Sequence, residues 1–208
     1  MKITDLKPGK HGLMYLFLDD EFAFSLYPDL WHESRLRIGD EVEEAVLAPI
    51  KEKQDTLYAR SRALDLLSRG DCTEKALFDK LIKRGIAPEK AAQAVAYCIE
   101  KGFLSDEALI EKYLPYLFET KKYGVRRVRQ ILAEKGFDKA LADRALENYD
   151  ADPLPALLAL LEKEKRPPQD ANERKKLIAK LMRKGFVYED IRRALRQFSE
   201  CDAEDLYE

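Results

Sequence analysis

The sequence predicts a mainly α-helical protein made of three tandem three-helix repeats, preceded by a small N-terminal segment that contains a β-hairpin. The first observation is a repeated glycine: Gly85, Gly136 and Gly185 stand 51 and 49 residues apart. A leucine stands four residues before each glycine and an alanine nine residues after it, in stretches such as LFDKLIKRGI at residues 77–86 and LIAKLMRKGF at residues 177–186. A fixed period of about 50 residues with matching apolar offsets is typical of a tandem repeat.

The second observation is the stretch YGVRRVRQILAEKGF at residues 123–137, which contains the repeated pattern most fully. Val125, Val128 and Leu132 recur at three- and four-residue spacing, which places them on one face of a helix. The Lys-Gly that follows is a helix stop, because it puts a cation in the last turn and a glycine just past the end. One face of this helix is expected to pack, while the other carries cations.

The third observation is the different character of the N-terminal segment. Residues 13–18 and 21–27 are rich in aromatic and branched apolar side chains and predict two strands of a hairpin. Residues 1–6 are a candidate third strand, and residues 28–35 predict a short helix over one face. Over residues 1–58 seven Lys/Arg stand against twelve Asp/Glu, so this segment is acidic.

Helices are predicted for the rest of the chain. The stretch EVEEAVLAPI begins a helix that is expected to be interrupted at Pro49, and Pro115 is expected to kink its helix. The predicted helices are residues 55–68, 74–84, 88–101, 106–121, 125–135, 138–148, 154–165, 171–184 and 189–198. The predicted domains are an N-terminal α+β extension at residues 1–53, three-helix repeats at 54–104, 105–150 and 151–199, and an acidic tail at 200–208.

Composition excludes several classes of protein. Charged residues make up 37% of the chain, yet the net charge is only −2, so only local clustering of cations favours a nucleic-acid contact. No apolar run approaches the ~20 residues that cross a bilayer, and the N-terminus lacks a charged-then-apolar leader, so a cytoplasmic protein without membrane contact is expected.

The residues also lack the usual patterns of catalysis. Three cysteines without C-x-x-C spacing argue against a disulfide framework, and only two histidines, His11 and His32, are available for a metal or a nucleophile. Neither G-x-x-x-x-G-K-[ST] nor G-x-G-x-x-G occurs. We therefore expect a protein that is not an enzyme and needs no cofactor or metal.

Cations cluster in two places. Residues 121–135 hold six Lys/Arg against one acid, and residues 163–197 hold twelve against five. Regular stacking would align these basic helices into one positive strip that suits a polyanion, although a solvated surface is the ordinary role of such faces. Arg126 and Arg127 are predicted to point most directly outward, with Arg129 nearer the core. The contact candidates are Lys121, Lys122, Arg126, Arg127, Arg129, Lys175, Lys176, Arg183, Lys184, Arg192 and Arg193.

Three stretches, KLIKRG, EKGFLSDEAL and KYGVRRVRQILAEKGF, together resemble the RecX family of recombination regulators. The third is similar to the family pattern G-x-x-R-[IV]-x-x-E-L-x-x-K-G-[IV], in which the pattern's glutamate is replaced by Ile131 and, in the first repeat, by Ala76. The positions that fit the pattern are Gly124, Arg127, Val128, Leu132, Lys135 and Gly136.

This resemblance implies an elongated, curved array of the three repeats that lies along the groove of the RecA filament on single-stranded DNA. It implies inhibition of recombinase, ATPase and coprotease activities, contact with single-stranded DNA directly or through the filament, and a monomer. The role that the resemblance implies requires no catalytic residue.

A second hypothesis is a direct DNA-binding protein of the helix-turn-helix type, because a small three-helix unit with a basic middle helix also describes such modules. The salt dependence of binding to bare DNA distinguishes the two hypotheses. An enzyme is a third possibility, but the sequence offers it no nucleophile, metal or phosphate constellation.

Overall fold

The chain forms two compact units in the computed structural model, which describes residues 1–164, 168 and 170–204, with side chains only up to residue 198. The first unit contains Met1–Gly70 and Leu77–Phe103, and the second contains Asp71–Ala76 and Leu104–Glu208. The side chains of the predicted acidic tail lie outside the described residues. So do residues 165–167 and 169, where one predicted helix was expected to end.

The N-terminal segment is a three-stranded antiparallel sheet with a short helix beside it, as the sequence predicts. Its strands lie in the order β1-β2-β3, and Ile3, Leu16 and Leu26 are almost fully buried in a shared apolar cluster. The elements are β1 (Ile3–Pro8), β2 (Met14–Leu18), β3 (Glu21–Leu26) and α1 (Pro28–Ser34).

The next helix, α2 (Glu44–Leu67), runs through Pro49 without a break, so the predicted interruption there is wrong. The amide that Pro49 lacks would have bonded to the carbonyl of Ala45, close to the start of the helix, so a single hydrogen bond is lost. Burial of Leu47 in the N-terminal apolar cluster holds this first part of the helix in place.

The predicted boundary between the N-terminal segment and the first repeat, at residues 53 and 54, lies inside α2. One helix therefore packs against both the sheet and the first repeat. Gln54 is buried and accepts a hydrogen bond from the backbone N–H of Tyr27 at 2.8 Å. On the other side, the buried Lys90 forms an ion pair with Glu52.

The remaining helices form the predicted triplets. After Pro115 the backbone changes from α to π geometry over Tyr116–Thr120. The first repeat uses the second half of α2 with α3 and α4, the second uses α5 to α7, and the third uses α8 to α10. These helices are α3 (Glu74–Lys83), α4 (Pro88–Glu100), α5 (Asp106–Pro115), α6 (Val125–Lys135), α7 (Lys139–Asn148), α8 (Pro153–Leu161), α9 (Ala171–Arg183) and α10 (Tyr188–Glu204).

The repeated glycines end the middle helices α3, α6 and α9 in the same way. Gly85, Gly136 and Gly185 have φ values of +81°, +87° and +95°, in the left-handed region that glycine adopts without steric strain. The residue after each glycine donates its N–H to the carbonyl of the buried leucine that stands four residues before the glycine. The pairs are Ile86 to Leu81 at 3.3 Å, Phe137 to Leu132 at 3.1 Å and Phe186 to Leu181 at 3.4 Å.

The second and third repeats meet where the start of α6 lies on the end of α9. The N–H of Gly124 donates to the carbonyl of Lys184 at 2.9 Å, and the N–H of Arg126 donates to the carbonyl of Gly185 at 3.2 Å. A Cβ atom on Gly124 would lie closer than 3.0 Å to the Gly185 backbone, and one on Gly185 closer than 3.0 Å to the Arg127 backbone. Only glycines permit this approach, which we call the glycine joint.

Within the second unit, the start of α3 meets the end of α6 in an equivalent way. The Thr73 hydroxyl donates to the carbonyl of Lys135 at 2.7 Å, and a Cβ on Gly136 would lie 3.3 Å from that hydroxyl oxygen. The carboxylate of Asp106, buried at the start of α5, accepts the N–H of Glu74 at 3.0 Å. Burial raises the pKa of Asp106, and burial followed by repulsion from Asp106 raises the pKa of Glu74.

We expect Leu132→Ala to lower the free energy of unfolding by roughly 2–5 kcal/mol, because Leu132 is fully buried and its removal leaves a cavity. Urea titration measures this loss. Leu64→Ala is the control, since Leu64 is 37% exposed and its truncation leaves no enclosed space. An equal loss in both variants would contradict the assigned core.

Three glycine substitutions separate backbone strain from overlap at the glycine joint. Gly85→Ala is expected to cost about 1–2 kcal/mol, because its φ is positive but a Cβ there meets open space. Gly185→Ala adds overlap with α6 and is expected to cost roughly 1–3 kcal/mol more. Gly124 has a φ of −77°, so Gly124→Ala isolates the overlap. Equal urea midpoint shifts for Gly85→Ala and Gly185→Ala would argue against the joint.

The raised pKa of Asp106 predicts how stability depends on pH. The folded state binds this proton more tightly than the unfolded chain, so stability falls as the pH rises above about 4 and through the raised pKa. Asp106→Asn keeps an oxygen acceptor for Glu74 and is expected to flatten this fall in melting temperature between pH 4 and 7. Asp65→Asn is the control. Hydrogen bonding to Arg69 lowers the pKa of Asp65, so this substitution is expected to change the pH dependence of stability in the opposite direction.

Candidate functional site

The glycine joint gathers the cations of two successive repeats. Arg126 and Arg127 occupy the first turn of α6, and Arg183 and Lys184 stand at the end of α9 against which that turn lies. Lys121 and Lys122 directly precede the joint along the chain. We call this group the joint cluster, and it consists of Lys121, Lys122, Arg126, Arg127, Arg183 and Lys184.

Helix electrostatics does not explain why arginines stand in the first turn of α6. The partial positive charge at a helix N-terminus favours anions, and α6 has no acidic residue in its first turn. The end of α9 partly offsets this, because its terminal carbonyl groups lie against the start of α6 and carry the opposite partial charge.

Aromatic rings hold two lysines of the joint cluster in place. The Lys184 ammonium lies 5.4 Å from the ring centre of Tyr123, and the Lys121 ammonium lies 5.2 Å from the ring centre of Tyr116. A hydrogen bond with Tyr116 raises the pKa of Lys121, which therefore keeps its charge. Tyr123 packs against the core of the second repeat.

The predicted exposure along α6 is wrong for three residues. The Arg127 side chain is only 35% exposed, because its backbone lies against Gly185, and its Nη1 is 3.8 Å from Glu134. Arg129 is 55% exposed and donates from Nε to Asp143 of α7 at 3.0 Å. Val125, predicted to pack, is 39% exposed because it is the first residue of α6.

The other predicted contact residues lie away from the joint. Lys175 and Lys176 are exposed near the start of α9, about 12 Å along the helix axis from its end at a rise of about 1.5 Å per residue. Arg192 and Arg193 are exposed on α10. The structure therefore brings six of the eleven candidates to one place, and Arg129 is held instead by an ion pair within its own repeat.

Sequence reasoning missed the joints themselves. The close approach of Gly124 to Gly185 and the bond from Thr73 to Lys135 join residues about 60 positions apart, and no local pattern marks them. The signal that was available is the glycine before α6, because nothing in the helix itself requires glycine there.

Among the described residues, no group of three or more His, Cys, Asp or Glu side chains is placed to hold a metal ion. None of the helices formed by the described residues is both long enough and apolar enough to span a membrane.

Family models match all three repeats. The first, second and third three-helix domains of RecX match residues 59–98, 105–146 and 150–195.

Known proteins match along most of the chain. Regulatory protein RecX of Clostridioides difficile (strain 630) is 25% identical over 195 residues, which cover 92% of this chain and 92% of that protein. Regulatory protein RecX of Stenotrophomonas maltophilia (strain K279a) is 36% identical over 137 residues, covering 65% of this chain and 83% of that protein. A crystal structure of regulatory protein RecX superposes with a TM-score of 0.65 at 25% identity, covering 93% of this chain and 98% of the other. This chain, with its three matched helical domains, belongs to the RecX family of regulatory proteins.

Proposed function

We propose that this protein binds the RecA filament on single-stranded DNA and inhibits its recombinase, ATPase and coprotease activities, as membership of the RecX family implies. The observation that supports this most directly is the joint cluster. It concentrates six cations of two successive repeats in a chain whose net charge is −2. A repeating, negatively charged polymer is a partner that suits such a surface.

Binding of this kind needs no catalytic residue. Each repeat makes a modest contact, and once one repeat is bound the next meets its target at a high effective concentration. The second repeat carries its cations on α6 and the third on α9 and α10, so contact spread over several protomers of a filament uses the repeats in turn. We expect the protein to act as a monomer in the cytoplasm.

Several cations of α6 and α9 are paired with carboxylates, which favours a filament over bare DNA as the target. Arg129 pairs with Asp143, and Lys180 pairs with Glu164. A surface of alternating charge complements a protein coat that also carries both signs, whereas phosphate chains select exposed cations alone.

Charge reversal at the joint cluster tests this proposal. Arg126→Glu combined with Arg183→Glu changes two exposed side chains, so folding is expected to persist while the concentration for half-maximal inhibition of DNA-dependent ATP hydrolysis by RecA rises roughly tenfold. Lys80→Glu with Lys83→Glu is the control, because it changes the net charge equally on the exposed surface of α3. No inhibition by the wild-type protein at saturation would refute the proposed function.

Affinity for bare oligonucleotides at several salt concentrations separates the filament from direct DNA binding. A direct binder that makes Z phosphate contacts gives a log-log slope of about −0.7Z on single strands. We expect weak binding to bare DNA. Tight binding with a steep slope would favour the helix-turn-helix alternative.

A further inference from the structure

A cavity of about 580 Å³ lies beside the glycine joint, between the second and third repeats within the second unit. Its volume falls in the roughly 300–1,000 Å³ range of pockets that hold ligands. Gly124 and Gly185 form part of its wall, so an occupant would contact both repeats at the point where they meet. Lys122 is the one residue that this cavity shares with the contact candidates predicted from the sequence.

One wall of the cavity is aromatic and ordered. The rings of Phe118 and Tyr149 stack with their centres 5.0 Å apart and their planes at 12°. The Tyr149 hydroxyl donates to the Glu119 carboxylate at 2.7 Å, which fixes the orientation of the ring. Burial, followed by this hydrogen bond, raises the pKa of Tyr149 to about 12, so the phenol stays protonated at neutral pH.

The charge of the cavity is opposite to that of the joint cluster. Four carboxylates line it, from Glu119, Asp150, Asp152 and Asp190, against the single ammonium of Lys122. A concave wall lined by one sign of charge focuses the field within it. Phosphate groups and other anions are therefore repelled from this cavity, although it opens beside a surface that attracts them.

The cavity lining favours a planar organic cation. Two of its carboxylates already accept a hydrogen bond, Glu119 from Tyr149 and Asp152 from the backbone N–H of Leu154 at 3.0 Å. Each carboxylate still has acceptor positions for further donors. A guanidinium stacks flat on aromatic rings, and its fork of five donors reaches several carboxylates at once, whereas a lysine ammonium is a point charge.

We propose that this cavity receives the arginine side chain of a protein partner. The assignment of that partner as the recombinase filament rests on the proposed function, but the assignment of the side chain rests on the cavity alone. With the arginine bound here and an acidic surface on the joint cluster, two contacts of opposite sign lie side by side. Such a pair fixes the register of the partner, because a shifted partner places like charges together.

The first experiment tests the cavity directly. N-acetyl-arginine methylamide is titrated into the isotope-labelled full chain, and amide chemical shifts are followed by NMR. We expect saturable shifts at residues 149–152 and 185–187 and no comparable shifts with N-acetyl-citrulline methylamide, which has nearly the same shape without the charge. Absence of arginine-dependent shifts there, or equal shifts with citrulline, overturns the inference whatever the protein does to a filament.

The second experiment asks whether the cavity acts in filament binding. Asp150→Asn with Asp190→Asn keeps side-chain size and spares the carboxylates that hold Tyr149 and cap α8. We expect loss of the arginine-dependent shifts and roughly tenfold weaker inhibition of ATP hydrolysis by RecA. Glu111→Gln with Glu147→Gln is the charge-matched control, because both side chains are exposed on α5 and α7 and lie outside the cavity lining.

The outcomes separate the two proposals. If the Asp150→Asn, Asp190→Asn protein inhibits as strongly as the wild type, the cavity is not a filament contact, and the proposed function is unaffected. Failure of the wild-type protein to inhibit, with arginine still bound, refutes the proposed function and retains the arginine site.

Discussion

Two backbone segments meet at Gly124 and Gly185 with no side chain between them. This contact controls how the second and third repeats are arranged. Two backbone hydrogen bonds of 2.9 and 3.2 Å cross it, and its packing distance admits no Cβ on either side, so the start of α6 is fixed against the end of α9. Since both helices are rigid, this one contact also fixes where their terminal cations lie. Both the joint cluster and the acidic cavity are direct results of the same approach.

The contact of α9 with α6 and the contact of α6 with α3 both bring together helix ends of opposite polarity. The carbonyl end of α9 faces the amide end of α6, and the carbonyl end of α6 faces the amide end of α3, where Thr73 bonds to Lys135. Opposed helix ends attract, so each joint adds a favourable term to the apolar packing of the repeats. The glycines that end α6 and α9 thus have two roles, because each ends its own helix and leaves room for the start of the middle helix of the preceding repeat.

Much of the fold could be predicted from the sequence, because periodic apolar residues and glycine stops are local signals. The sheet, the three helical triplets and the buried Leu132 follow from such signals. The continuity of α2 through Pro49 did not, because tertiary packing on both sides outweighs one missing hydrogen bond. The partial burial of Arg127 also depended on Gly185, about 60 positions away. The cavity was missed for the same reason, since its walls come from separate helices.

Continuity of α2 has a consequence for how the N-terminal sheet relates to the helical array. The sheet packs on the first half of this helix, while the first repeat uses the second half as one of its three members. The sheet and the first repeat are therefore joined through one 24-residue helix and not through a linker. The N-terminal segment and the first repeat therefore do not have separate helices at their boundary. Cleavage of the chain between residues 53 and 54 would divide α2 and leave each part with only half of the helix that it packs against.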